Sequence, residues 1–80
     1  MRLPRDVSGS DLIRALKIFG YSVSRQTGSH VRLSTAENGE HHITIPNHKP
    51  IRIGTLASIL DDISDHHGIS RDDLLRRSGL

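Results

Sequence analysis

Apolar residues recur along the chain at two spacings, one typical of helices and the other of strands. Near the start, four of them form the stripe of a first helix: Leu12, Ile13, Leu16 and Phe19. Ser8 and Asp11 have the spacing of a capping box that would open this helix, with Ser10 as a competing cap. Gly20 is the expected stop, because glycine readily adopts the left-handed conformation that ends helices.

Three stretches in the middle of the chain alternate apolar and polar residues with a period of two, which predicts strands. They span residues 21–26, 30–34 and 41–45. Turns at Thr27-Gly28 and at Asn38-Gly39, the second a strong hairpin signal, would join them into an antiparallel sheet. In the first strand Tyr21 and Val23 are expected on the half-buried side, and Gln26 on the polar side.

The second half of the chain returns to helical spacing. Its main stripe consists of Leu56, Ile59, Leu60 and Ile63. This helix should begin at Gly54 or Thr55 and stop at Gly68, and a short third helix should run from Ser70 to about Arg77. Each main helix has one apolar face, so both should cover the same side of the sheet. The pattern predicts an α+β fold with αβββα order, a short C-terminal helix and an open sheet face.

Composition narrows the class of protein. With 80 residues there is room for one core, so residues 1–80 are read as a single domain. Cysteine is absent, which excludes disulfides and thiolate metal sites, and no run of about twenty apolar residues suggests a membrane span. We expect a cytoplasmic protein with no membrane association.

Charge is distributed unevenly around a net value of +2. Residues 1–54 hold eight Lys or Arg against four Asp or Glu, whereas residues 55–80 hold three against five. Protonation of the six histidines would add further positive charge. The basic part of the chain is therefore the candidate surface for a polyanion such as RNA.

Three short motifs stand out in this frame: Arg25-Gln26-Thr27-Gly28-Ser29-His30, then Ile45-Pro46-Asn47-His48, then Gly54-Thr55-Leu56 with Ile59 and Leu60. In this order they resemble the HicA family of toxin mRNA interferases over residues 8–64. The resemblance implies a small ribonuclease with a double-stranded-RNA-binding-like fold that cuts messenger RNA. It also implies a HicB-type antitoxin, which would mask the site in a hetero-oligomer, and it assigns His30 as the catalytic histidine.

The chemistry of His30 agrees with that assignment. Strand alternation turns its side chain outward, and imidazole has an unperturbed pKa near neutrality, so it can accept the 2′-hydroxyl proton of RNA without a metal or cofactor. Arg32, on the same face, and Arg25 are candidates to offset charge on the phosphoryl oxygens. In the preceding turn, Gly28 permits a positive φ and Ser29 can hold the backbone approach to His30.

Other residues admit more than one interpretation. His48 can contact RNA, donate a proton to the departing oxygen or be structural, and Lys49 is a candidate RNA contact. Gly54-Thr55 is read as a helix start, although its N–H groups can also hold a phosphate. The pairs His41-His42 and His66-His67 suggest a metal, but neighbours in a strand or helix diverge too far to chelate. At a helix C-terminus, positive charge on the latter pair is favoured.

Two alternatives to an RNA-cutting toxin remain at this point. One is a noncatalytic RNA-binding module that uses the same basic surface, in which Arg25 and Lys49 would set the affinity. The other is a degenerate toxin that is retained only for its complex with an antitoxin. Loss of cleavage in a folded His30→Ala variant would separate the first reading from both alternatives.

Overall fold

The computed structural model of the protein describes residues 3–80 and has the predicted order of elements. The helices are α1 (Gly9–Ala15), α2 (Ile53–His67) and α3 (Arg71–Ser78), and the strands are β1 (Ser22–Thr27), β2 (His30–Thr35) and β3 (His41–Pro46). The predicted domain, 1–80, includes Met1 and Arg2, which lie outside the described residues. None of the helices in residues 3–80 is long and apolar enough to cross a membrane.

The first helix begins at the predicted capping box. The Ser8 hydroxyl accepts from the Asp11 backbone N–H at 3.0 Å, and the Asp11 carboxylate accepts from the Ser8 N–H at 3.2 Å. After Ala15 the helix tightens into a 3₁₀ turn, Leu16–Phe19, and Gly20 ends it with a φ of +80°. The predicted start and stop are therefore confirmed, with a narrower last turn.

The three strands form one antiparallel sheet in the order β1-β2-β3. Asn38 and Gly39, with φ values of +56° and +96°, form the left-handed turn that their sequence predicts between β2 and β3. Between β1 and β2, Gly28 has a φ of +58° while Ser29 stays outside the left-handed region, as in a type II′ turn. β1 extends through Thr27, so the turn is Gly28-Ser29, one residue later than predicted.

A single apolar core lies between the helices and one face of the sheet. The helices contribute Leu12, Leu16, Leu56, Ile59, Leu60, Ile63, Leu74 and Leu75, and the sheet contributes Val31, Leu33, Ile43 and Ile45. The alternate residues of β2 and β3 lie on the opposite, uncovered face. The α+β architecture with helices on one side and an open sheet face is thus confirmed.

The first strand departs from its predicted alternation. The register with β2 shifts between Val23 and Arg25, as in a β-bulge at Ser24. Val23 pairs with the buried Leu33, whereas Arg25 pairs with Arg32 on the open face and Gln26 pairs with Val31 on the helix side. Placing Gln26 on the polar side was therefore wrong. Val23 faces the helices but is 52% exposed, because β1 is an edge strand beyond their reach.

The second half of the chain follows its prediction closely. α2 begins at Ile53, one residue before the expected start, and ends at Gly68 with a φ of +65°. α3 is capped by the Ser70 hydroxyl, which accepts from the Asp73 N–H at 3.1 Å. Its last residue is Ser78, one beyond the predicted end.

Candidate active site

His30 is the first residue of β2 and follows the Gly28-Ser29 turn directly. Its backbone pairs with Thr27 of β1 and Pro46 of β3, so strands on both sides hold its position. The side chain is exposed on the open face, and its imidazole has no hydrogen-bond partner within residues 3–80. Both ring nitrogens are therefore accessible, and His30 has the outward orientation that strand alternation predicts.

Arg32 and Arg25 lie beside His30 on the same face. Arg32 is two residues along β2, and the bulge in β1 brings Arg25 directly opposite it. Both side chains are exposed, and neither forms an ion pair with a carboxylate of the described residues. Two guanidinium groups without counter-ions among residues 3–80 lie on the same face as an exposed imidazole, so this surface is suited to binding a phosphodiester.

The loop after β3 is tied to the turn that carries His30. Asn47 donates its backbone N–H to the Ser29 carbonyl at 2.6 Å. One residue further on, the backbone carbonyl of His48 accepts from the Gly9 N–H at 3.0 Å. The motif containing His48 is thus brought to the motif containing His30. The His48 imidazole is exposed and, within residues 3–80, has no hydrogen bond, so its three readings stay open.

Gly9 is a supporting residue that the sequence does not reveal. A Cβ at this position would lie 2.5 Å from the Asn47 Cα and 2.9 Å from the Pro46 carbonyl oxygen. Only glycine allows α1 to approach the loop so closely. The sequence around Gly9 offers one hint, since glycine is a poor residue for the first turn of a helix. That hint does not reveal which segment packs against Gly9.

Lys49 lies on the α1 side of the site. The hydrogen bonds with Ser8 lower the pKa of the Asp11 carboxyl, and the charges of Arg14 and Lys49 add smaller contributions in the same direction. Gly54 and Thr55 are exposed in the first turn of α2, which has no side-chain cap. These two residues are a helix start, as predicted.

At the opposite end of the sheet lies what we call the histidine cluster: His41 and His67, which hydrogen-bond to Tyr21, and His66, whose ring stacks on that of His41. The Tyr21 hydroxyl is 2.6 Å from His41 Nδ1 and 3.1 Å from His67 Nε2. His66 Nε2 donates to the carbonyls of Glu37 and Gly39, both at 3.0 Å.

Protein groups already engage the polar atoms of this cluster: Tyr21 hydrogen-bonds to His41 and His67, and His66 hydrogen-bonds to two backbone carbonyls. Within residues 3–80, no set of three or more His, Asp or Glu side chains is arranged to hold a metal ion. Burial raises the pKa of Tyr21 to about 12, with smaller contributions from Asp62 and Glu37. Burial also lowers the pKa of His67, and the neighbouring His66 adds to this. For His67, burial therefore disfavours the positive charge that was expected at the end of a helix.

Comparison with known proteins identifies one family that resembles this chain. Searches of curated proteins and of solved structures gave no significant match. The model of one protein family, described as the HicA toxin of bacterial toxin-antitoxin systems, matches residues 9–64. The match includes α1, the whole sheet, the loop that carries His48 and most of α2. The chain therefore belongs to the HicA toxin family.

Proposed function

We propose that the protein is an endoribonuclease that cuts messenger RNA in the cytoplasm and uses His30 as its base. One observation carries the proposal: His30 has an exposed imidazole without a partner in residues 3–80, on a strand that also presents Arg32. A single base can suffice because RNA carries its own nucleophile next to each phosphate. Family membership supports a toxin, and the geometry supports this chemistry for it.

In the proposed reaction, His30 removes the proton from a ribose 2′-hydroxyl. The 2′-oxygen forms a bond to the adjacent phosphorus, the bond from phosphorus to the 5′-oxygen breaks, and the departing oxygen takes up a proton from water or from His48. The products are a 2′,3′-cyclic phosphate and a 5′-hydroxyl. Arg32 and Arg25 stabilise the negative charge that builds up on the phosphoryl oxygens.

The direct test is cleavage of a single-stranded RNA by the purified protein in the presence of EDTA. Wild type should produce cyclic-phosphate ends, and an RNA with a 2′-deoxy nucleotide at the cut position should stay intact. His30→Ala should be folded and inactive, whereas His48→Ala, a matched change of an exposed histidine, reports on the proton donor. Equal cleavage by wild type and His30→Ala would contradict the proposal.

The noncatalytic alternative uses the same surface and makes a different prediction. If Arg25 and Arg32 only hold RNA, their replacement by Gln should weaken binding and reduce its salt dependence, while His30→Ala should change nothing. Under the catalytic proposal the two arginine variants also lose binding, but His30→Ala keeps it and loses cleavage. Measuring binding and cleavage together separates the two functions.

We further propose that a HicB-type antitoxin covers His30 in a hetero-oligomer. Support comes from the family and from the open face, which leaves His30 and both arginines accessible to a partner. Addition of the partner should abolish cleavage and raise the melting temperature, because it binds only the folded toxin. A complex that forms without loss of cleavage would show that the partner binds elsewhere.

A further inference from the structure

The open face carries a second histidine that the proposed reaction does not use. His42 of β3 lies directly opposite Ser34 of β2. Its Nδ1 is 2.5 Å from the Ser34 hydroxyl, and its Nε2 is 2.8 Å from a carboxylate oxygen of Glu40. The Ser34 hydroxyl is also 2.8 Å from the Ser24 hydroxyl of β1. This line of hydrogen bonds crosses all three strands and holds the imidazole of His42 in place.

Because both ring nitrogens of His42 already have hydrogen-bond partners, a ligand can contact only the faces of the ring. Each ring nitrogen of an imidazole points outward in the ring plane, so one partner at each nitrogen occupies both polar atoms. The faces of the ring remain, and 37% of the side chain is exposed. His42 is therefore suited to stacking, whereas His30, with free nitrogens, is suited to proton transfer.

A second histidine of this chain, His41, also has a hydrogen-bond partner at each ring nitrogen. Its Nδ1 is 2.6 Å from the Tyr21 hydroxyl, and its Nε2 is 3.1 Å from an Asp62 carboxylate oxygen. The ring of His66 stacks on it, with centroids 4.3 Å apart and an angle of 11° between the planes. His42 has the same double anchoring on the open face, where no aromatic ring of the described residues stacks on it.

We propose that His42 is a stacking platform for one unpaired base of the RNA that His30 cuts, an inference that rests on the proposed function. Proteins commonly bind single-stranded RNA by stacking its splayed bases on aromatic side chains, histidine included. Phe19 and Tyr21, the aromatic residues other than histidine, are only 6% and 2% exposed and cannot serve.

Position along the strand separates the platform from the cleavage site. Ser34 is four residues beyond His30 in β2, so His42 lies about 13 Å from His30 along the sheet. That distance excludes a role for His42 in bond breaking and requires an RNA longer than a dinucleotide. Arg32 lies between them and can hold a phosphate of the intervening backbone.

The test uses a His30→Ala protein, which leaves the RNA uncut, and single-stranded RNA whose binding is followed by fluorescence anisotropy. Adding His42→Ala should weaken binding of a long oligonucleotide about tenfold and leave dinucleotide binding unchanged. Adding His42→Phe, which keeps a ring and loses both nitrogens, should retain most of the affinity. Thr44→Ala, on the same strand and face, is the matched control and should bind as the parent does.

A series of RNAs with one abasic nucleotide identifies the stacked base. At one position the missing base should weaken binding to the parent about tenfold and have no effect in the His42→Ala background, because the two changes remove the same contact. Melting temperatures within a few degrees of the parent would establish that each variant is folded.

Three outcomes would overturn the proposal. If His42→Phe binds as weakly as His42→Ala, an aromatic ring at this position does not hold the RNA. If His42→Ala binds as the parent does while protein with intact His30 cleaves RNA, the stacking role fails and the ribonuclease stands. If RNA is neither bound by the His30→Ala protein nor cut by wild type, both proposals fail together.

Discussion

The two ends of the β2–β3 pair use histidine in opposite ways. At one end His30, paired with Pro46, has no hydrogen bond to its imidazole in residues 3–80 and lies on an open surface. At the other end His41, paired with Thr35, is bonded at both nitrogens and belongs to the histidine cluster. The cluster side chains are partly covered, and one of them, His67, packs on Phe19 with ring centroids 5.2 Å apart.

The difference shows that the surroundings of a histidine decide whether it contributes to stability or stays accessible to a substrate. An imidazole with both nitrogens engaged contributes to stability and is not available to exchange a proton with a ligand. An imidazole without partners adds little to stability, and its basicity remains available to a substrate. Changes at the two ends should therefore affect different measurements.

The largest effect is expected from His30→Gln. Cleavage should fall by about a hundred- to ten-thousandfold, because amide nitrogen and oxygen cannot act as a base near neutral pH. The melting temperature should stay near that of wild type, since an exposed side chain without partners is lost. RNA cleavage and thermal unfolding, measured on the same sample, check both parts. A large loss of stability would show that His30 is structural.

Gly9→Ala should disturb the support of the His30 end. The new Cβ would meet the Asn47 backbone at 2.5 Å, and such overpacking costs about 1–3 kcal/mol of the free energy of unfolding. Cleavage should also fall, because the loop that contacts Ser29 must move. Gly54→Ala is the matched control: its Cβ meets nothing within 4 Å, so stability should be unchanged or slightly higher. Equal effects of both changes would contradict the close-approach argument.

Tyr21→Phe should affect the opposite end alone. It removes the hydroxyl between His41 and His67 and leaves two ring nitrogens without that partner, which should cost about 1–3 kcal/mol. Chemical denaturation measures the loss. Cleavage by the folded protein at 25 °C should be unchanged, so a parallel loss of activity would show that the two ends are coupled.

The smallest effect is a pH dependence of stability. Burial lowers the pKa of His67 below its ordinary value of 6.5, so the unfolded chain takes up this proton first as the pH falls. Stability is therefore complete above about pH 6.5 and declines as the pH falls toward the lowered pKa. Denaturation midpoints from pH 8 to pH 5 should show the decline, and His67→Gln should reduce it. An unchanged slope in the variant would assign the dependence to other groups.

Local patterns predict the element order and the helix ends well. Ser8 with Asp11, and the Asn38-Gly39 turn, act within a few residues, so sequence alone is enough to identify them. The outward placement of His30 and Arg32 also follows from alternation within one strand. The position of Arg25 opposite Arg32 cannot be predicted in this way, because it depends on the bulge at Ser24. That bulge arises from pairing with β2, and the local sequence does not indicate it.

Contacts between distant segments explain the remaining differences. Spacing predicts that His41-His42 and His66-His67 each diverge. It cannot show that His41 stacks directly on His66 and is linked to His67 through Tyr21. Gly9 is a similar case, since Asn47, whose backbone leaves no room for a Cβ at Gly9, lies 38 positions further along the chain. The family resemblance identified His30 as a candidate, and the structure describes its surroundings.

The bulge in β1 also bears on how the protein behaves at high concentration. β1 has a free edge, and all six of its residues are exposed. A regular exposed edge is a template on which copies of the same chain can add strands and aggregate. The irregular spacing at Ser24, together with the charge of Arg25, interrupts that template. The bulge that places Arg25 on the open face therefore also makes the edge of β1 a poorer template for self-association.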